Sequence, residues 1–314
     1  MTAGVRWTLA IAVLLASSIA LFLATCRAAP LPRPHALDGP MPLASPPAGM
    51  ALFQLPTGIT QRTAAFAYRG GSFGDRRDFV MTAVLVKHPR GDLLIDTGFG
   101  RNIDAHFQLM PFMFRVITQY ERLRPAAEQL DAAGYDRTRL RAIILTHSHW
   151  DHVSGVPDFP STPVWLTPKE RRFIRDGGAI SAVARSFRGV RYRDYTFESG
   201  PYLGFASSRD VYGDGSIVIV PAPGHTPGSV VVFVALPGGR RYAFVGDLVW
   251  QREGISEREE RPWLWQVLAD ADSTSLRANL LRMSAIASRF PELTVVPAHD
   301  ARGFTDIRRL TRSM

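Results

Sequence analysis

Residues 146–152 read Thr-His-Ser-His-Trp-Asp-His, directly after Arg141 to Leu145, an apolar run of the kind that forms a short buried strand. No other stretch of the chain restricts the fold as much. Four side chains that bind metals, His147, His149, Asp151 and His152, fall within six residues. In extended backbone His147 and His149 point to the same side. Asp151 and His152 follow in the turn, where adjacent residues can aim apart, one group toward each of two metals. Packing these groups with no ligand would desolvate several polar atoms in one small volume, which is costly unless something binds them.

Further ligand candidates lie downstream. Pro223-Gly224-His225-Thr226-Pro227-Gly228 is a tight loop that presents one imidazole. Val245-Gly246-Asp247 places an acid at a strand end, and Pro297-Ala298-His299-Asp300 follows the last strand expected in the chain. Cys26 is the only cysteine, which excludes an internal disulfide and any thiolate-based zinc finger or iron–sulfur site. Imidazole and carboxylate without thiolate suit zinc, with iron or manganese as runners-up.

The pattern around these motifs alternates strands with helices. Val80 to Lys87 and Asp92 to Ile95 are β-rich runs split by Pro89-Arg90-Gly91, a hairpin signal. Pro125 to Ala133 has helical spacing and stops at Gly134. Strands are expected at Thr162 to Leu166, Ser216 to Val220, Ser229 to Ala235, Arg241 to Val245 and Leu293 to Val296, and helices at Lys169 to Arg175 and Ser273 to Ser288. Two batches of strands with helices between them suggest two sheets with helices packed outside.

Two stretches do not read as plain core. Ile103 to Tyr120 carries Phe107, Met110, Phe112 and Phe114, and Trp250 to Ala269 carries Trp250, Trp263 and Trp265. Each is an aromatic-rich insertion beside a polar motif, so each is a candidate pocket wall or lid, against the plainer expectation of ordinary core helix.

The N-terminus reads differently. Arg6 precedes Trp7 to Cys26, a run apolar or small at every position except Thr8, Ser17, Ser18 and Thr25. This is expected to be a signal peptide over residues 1–29, or an N-terminal membrane anchor, with Cys26 as a weaker candidate for acylation. Arg6 ahead of the run suggests export to the periplasm or exterior. Residues 30–50 are Pro/Ala-rich and are expected to be a linker, leaving 51–314 as the folded domain. Across the chain, 46% hydrophobic and 21% charged residues describe a globular protein and exclude wholesale disorder, collagen and coiled coil. The net charge of +9 is mostly Arg spread along the sequence. It lacks the dense basic run interleaved with aromatics that would suggest a nucleic-acid partner. A small-molecule substrate is expected, with membrane contact only through the N-terminal segment.

His147-x-His149-x-Asp151-His152, with His225, Asp247 and His299 downstream and Asp96-Thr97-Gly98 upstream, resembles the metallo-β-lactamase superfamily over about residues 60 to 305. The resemblance implies an αββα sandwich of two mixed β-sheets with helices on the outer faces and a site at one edge of the sheets. It implies two zinc ions, the first held by His147, His149 and His225 and the second by Asp151, His152 and His299, with Asp247 bridging both. Asp96 then orients a ligand from behind. The implied chemistry is attack on an ester or lactone carbonyl by a hydroxide held between the ions, where the pKa of water falls toward about 7. Asp151 orients that water and passes a proton toward the leaving group. The chain has no Gly-x-Ser-x-Gly nucleophile elbow, consistent with a direct attack.

An Asp at position 247 leans away from antibiotic hydrolysis and toward the lactonase, glyoxalase II and organophosphate-hydrolase branches. Gly246-Asp247-Leu248-Val249 also resembles the organophosphate-hydrolase branch. Trp250 departs from the quorum-quenching lactonases, which carry a Tyr three residues after the bridging Asp. The aromatic insertions favour a substrate with an apolar body over a hydrophilic thioester. Organophosphate, phosphoester or thioester hydrolysis is the alternative. A β-lactamase, a nuclease or an iron-dependent redox protein ranks below these.

Overall fold

The expected hairpin forms. Arg76–Lys87 and Asp92–Ile95 pair antiparallel across the Pro89-Arg90-Gly91 turn, where Gly91 takes φ +110°, a conformation that costs glycine nothing. The computed structural model describes residues 3–311, with side chains at residue 7 and from residue 11 onward. Around the hairpin lies an eight-stranded mixed sheet in the order Arg308–Arg309, Ala51–Thr63, Arg76–Lys87, Asp92–Ile95, Leu140–Ile144, Val164–Leu166 and Tyr192–Asp194, with Glu121–Arg122 pairing onto Ala51–Thr63. The pairings among Ala51–Thr63, Arg76–Lys87 and Asp92–Ile95 are antiparallel, and from Asp92–Ile95 onward the sheet is parallel. The second sheet has five strands in the order Leu293–Pro297, Arg241–Gly246, Val230–Ala235, Ile217–Pro221 and Arg209–Asp210.

The two sheets pack face to face. Val84, Val86, Ile95 and Ile144 from the first meet Ile219, Val232, Val234 and Phe244 from the second in one buried cluster. The outer face of the first sheet is covered by the helices Ala126–Ala132 and Pro168–Asp176, through Leu130 and Ile174. The outer face of the second is covered by the helix Ser273–Arg289, through Leu276, Leu280, Met283 and Ile286. The fold is therefore an αββα sandwich of two mixed sheets. Strands from both sheets end at one edge, at Ile95, Ile144, Gly246 and Pro297, and the polar motifs begin there.

The Pro/Ala-rich stretch expected as a linker lies against the domain. Leu31 N–H donates to Arg258 O at 2.9 Å and Ser45 N–H to Asp214 O at 2.7 Å, while Leu31, Leu37 and Met41 pack on the helix-side core. Cys26 is buried, and its carbonyl accepts from Gly70 N–H. Ahead of it stands the helix Ala3–Thr25, with Ile11, Leu14 and Leu15 exposed. The anchor expected over residues 7–26 falls partly on side chains outside the described residues. Among the described residues no helix is long and apolar enough to cross a membrane.

Candidate metal centre

Each ligand candidate leaves a strand end in a way its local sequence dictates. After Leu140–Ile144 the chain runs to His149, which is itself extended (φ −72°, ψ 159°), and then turns into the one-turn helix Trp150–Val153, which carries Asp151 and His152. His225 sits on a loop whose Gly224 has φ +145° and lies against Leu276, so close that a Cβ would be 2.5 Å from the Leu276 backbone. Asp247 follows Gly246 at φ +54°, where a Cβ would be 2.9 Å from the Thr146 side chain. His299 follows the strand Leu293–Pro297. Asp96 is the exception to easy backbone: a non-glycine at φ +54°. Its strain is held in place by three contacts. Thr146 N–H and Thr146 Oγ–H each donate to it at 2.7 Å, and His152 Nδ1 lies 2.8 Å away.

These residues converge. The ligating atoms of His147, His149 and His225 lie within 4.8 Å of one another, as do those of Asp151, His152 and His299, and those of His147, His152 and Asp247. Asp247 stands between the two outer groups. Its Oδ1 is 3.2 Å from His152 Nε2 and 3.1 Å from His299 Nε2, and its Oδ2 is 3.4 Å from His225 Nε2. All seven are buried.

The donor set fits metal ions. Nε2 of His147, His149, His152 and His225 and Oδ1 of Asp247 are buried and form no hydrogen bond. Buried polar atoms are almost always satisfied, so five orphans aimed into one volume point to a cation that satisfies them. Opposite ring edges are engaged. His152 Nδ1 faces Asp96, His225 Nδ1 faces Asp270 Oδ1 at 2.8 Å, and His299 Nδ1 faces Val80 O at 3.0 Å. An acceptor at Nδ1 fixes the tautomer that leaves the Nε2 lone pair free.

The electrostatics agree. Burial and the neighbouring imidazoles hold His147 and His149 well below the ordinary histidine range, so they are neutral. At His152 burial pulls the same way, but Asp96, Asp247 and Asp151 outweigh it and raise the imidazole. His299 is likewise raised, by Asp247 and Asp151 against burial. Burial would raise the Asp247 carboxyl, but His299 and His152 drive it far down. This half of the site favours positive charge.

Several supporting residues carry no signal that the sequence motifs reveal. Glu170 is buried and accepts four hydrogen bonds: Ser148 N–H (2.7 Å), Ser148 Oγ–H (2.5 Å), Thr226 Oγ–H (2.7 Å) and Gly228 N–H (3.0 Å). It thereby ties the His147/His149 segment to the His225 loop. The only sequence trace is Thr167-Pro168-Lys169-Glu170, which has capping-box spacing. Thr167 does cap the helix, but the Glu side chain reaches away from it. Arg261 and Asp270 form a buried ion pair behind His225, and no motif marks them.

The aromatic candidates divide. Trp250 is buried, and its indole N–H donates to Asp247 Oδ2 at 2.9 Å. Trp265 packs on Phe66, which stacks on Trp250 at 5.0 Å, and Phe79 lies nearly parallel to His299 at 5.9 Å. Phe107 and Phe114 pack around Trp150, the residue between His149 and Asp151, and Met110 is buried in the same cluster. Phe112 and Trp263 are 68% and 58% exposed and do not line the site. Both lie on short helices, Phe112–Ile117 and Trp263–Ala269, that bury no residue fully.

Residues 76–299 match the family model described as the metallo-beta-lactamase superfamily. The chain is 33% identical over 237 residues to a probable metallo-hydrolase of Mycobacterium tuberculosis, covering 69% of this chain and 73% of that protein. It is 21% identical over 242 residues to an N-acyl homoserine lactonase of Rhizobium radiobacter, covering 72% and 83%. Among solved structures, an N-acyl homoserine lactone hydrolase with N-hexanoyl-L-homoserine at its catalytic metal centre superposes with a TM-score of 0.65 at 16% identity, covering 82% of this chain and 96% of that one.

Proposed function

The chain belongs to the metallo-beta-lactamase superfamily and is a metallo-hydrolase, and from that footing we propose that it hydrolyses lactones or esters with an apolar acyl body, using two zinc ions. The observation that carries the two-ion part is the convergence of two three-residue ligand groups on Asp247, with five orphaned buried atoms between them. Zinc ions bound there supply a hydroxide nucleophile at neutral pH and polarise the substrate carbonyl.

The chain's own residues do the rest. His147, His149 and His225 would hold the first ion and Asp151, His152 and His299 the second, with Asp247 within reach of both. Asp151 Oδ2 lies 3.3 Å from His299 Nε2 and is the acid placed to orient the nucleophile and pass a proton to the leaving alkoxide. Phe79 against His299, Phe173 against His149 and Trp250 against Asp247 exclude water from the ligands, which strengthens every charge interaction inside.

The apolar-body part rests on what borders the site. A cavity of about 450 Å³ beyond it is of mixed character, lined by Ile59, Val116, Ile117 and Tyr120 together with Gln61, Arg62, Asp78, Gln119 and Glu121. Arg62 connects it to the site, because its guanidinium lies 5.0 Å over Phe66, and Phe66 stacks on Trp250. The apolar support comes from the cluster of Phe66, Phe79, Trp250 and Trp265 beside His299 and Asp247, against which an acyl chain fits better than a hydrophilic thioester does. Zinc-loaded protein is expected to turn over acyl-homoserine lactones or aryl esters faster than a glutathione thioester in a side-by-side panel. Activity on the thioester alone would overturn the proposal.

A further inference from the structure

Trp250 reads in sequence as a wall, yet its indole N–H is spent on Asp247. The N–H is 2.9 Å from Oδ2, the same oxygen that faces His225 Nε2 at 3.4 Å, while Oδ1 faces His152 at 3.2 Å and His299 Nε2 sits between the two oxygens, 3.1 Å from Oδ1 and 3.2 Å from Oδ2. The indole is itself clamped. Phe66 stacks on it with 13° between planes, and the Arg261 guanidinium lies 4.3 Å over the ring. Arg261 does more than stack. Its Nη2 donates to Asp247 O at 2.6 Å and to Leu248 O at 3.2 Å, and its Nη1 donates to Asp270 Oδ1. Asp270 Oδ1 in turn accepts from His225 Nδ1. Arg261 is 3% exposed. A cation so desolvated needs its partners in fixed positions.

We propose that Trp250 and Arg261 are one positioning unit for the metal centre: the indole selects and orients the Asp247 oxygen that faces the His225 group, and the guanidinium sets that indole, the Asp247 backbone and, through Asp270, His225 in register. The proposal rests on the two-ion reading above. Its physical content is preorganisation. A carboxylate free to rotate about its terminal torsion must be ordered when an ion binds. One held by an indole N–H, with its main-chain carbonyl pinned by an arginine fork, is already ordered. An indole N–H also has no proton to lose in the accessible pH range, so the orientation does not depend on pH.

Trp250→Phe keeps a ring between Phe66 and Arg261 and deletes the donor together with part of the ring volume. Zinc affinity is read by competition with a chromophoric chelator, the ligand field by the visible spectrum of the cobalt-substituted protein, and the fold by the melting temperature of the ion-free form. The expected result is a roughly 10–100-fold weaker hold on one zinc equivalent and an altered cobalt spectrum, with the ion-free form still folded and its melting temperature lowered only by the lost ring volume. Trp263→Phe, the same chemical change at an exposed tryptophan, is expected to leave both readings as in wild type. If Trp250→Phe holds zinc as tightly as wild type and leaves the cobalt spectrum unaltered, the proposal is wrong. Should that variant fail to fold, Arg261→Lys, which keeps the charge but loses the fork, decides by the same comparison. Stoichiometry of the wild type separates the two ideas. Fewer than two equivalents defeats the two-ion reading, while the variant comparison still decides the role of Trp250 for the ion that is held, and a wild type that takes up no zinc defeats both.

Discussion

At the scale of single residues, the carboxylate of Glu170 shows how much the site depends on groups that touch no ligand. Burial pushes this carboxyl up from its ordinary value, and the four donors around it oppose that by favouring the charged form. Two of those donors are backbone N–H groups, of Ser148 and Gly228. Glu170→Gln would turn an amide NH₂ toward donors at one oxygen, leaving buried groups unpaired. The expected cost is about 3 kcal/mol in urea unfolding, together with weaker zinc binding, because both ligand loops loosen at once. Unchanged stability would mean that the loops are held by other contacts. The candidate ligands themselves are legible in the chain, since imidazoles and acids crowded at strand ends are costly to bury unless a cation binds them. Glu170, Arg261 and Asp270 are not, because an isolated charged residue looks the same in sequence whether it is solvated or buried against a distant partner.

At the scale of elements, the periodic segments form as their patterns dictate. The helix expected over Ser273 to Ser288 is Ser273–Arg289, and the strand expected over Ser229 to Ala235 is Val230–Ala235. The strand Ala51–Thr63 has no such pattern. Pro56 and Gly58 interrupt its alternation, and the structure accommodates them with a register shift between those residues. Its long antiparallel pairing with Arg76–Lys87 compensates for weak local preference. The two-residue strands at Glu121–Arg122, Arg209–Asp210 and Arg308–Arg309 carry no periodic signal at all and exist only because a sheet edge is beside them. The helix Pro168–Asp176 presents Glu170 to the ligand loops, and its start depends on Thr167, whose hydroxyl accepts from Glu170 N–H at 3.1 Å. Thr167→Ala is expected to cost about 1 kcal/mol by thermal or urea unfolding. A change within error would show that packing alone starts the helix.

At the scale of the whole molecule, one ion-pair network fastens the loops that carry the candidate ligands Asp247 and His299 to the first sheet. Glu253 follows the Asp247 loop, Arg302 follows the His299 loop, and Arg77 lies on the strand Arg76–Lys87. Glu253 Oε2 is 2.7 Å from Arg302 Nη2, and Oε1 is 3.1 Å from Arg77 Nη1. Burial would raise the Glu253 carboxyl, but Arg302 and Arg77 outweigh it and bring it down from 4.5 to about 2. A carboxylate lowered on folding contributes stability that is fully present above pH 4.5 and is lost as the pH falls toward about 2. Glu253→Gln is therefore expected to lower the melting temperature at neutral pH and to flatten its decline across that acidic window. An acid limb as steep as that of wild type would show that Glu253 is not the group responsible.

The sequence by itself determined the layer architecture and the seven candidate ligands. Hydrophobic period is a local property, and so is the clustering of ligand types at strand ends. The docking of residues 27–50 on the domain, the strand Ala51–Thr63, and the division of the aromatic residues into buried Trp250 and exposed Phe112 and Trp263 were decided only by tertiary structure. Each of these depends on which surfaces meet. An indole N–H becomes a support for Asp247, and a guanidinium becomes a clamp, only when chain segments distant in sequence close around them and exclude water.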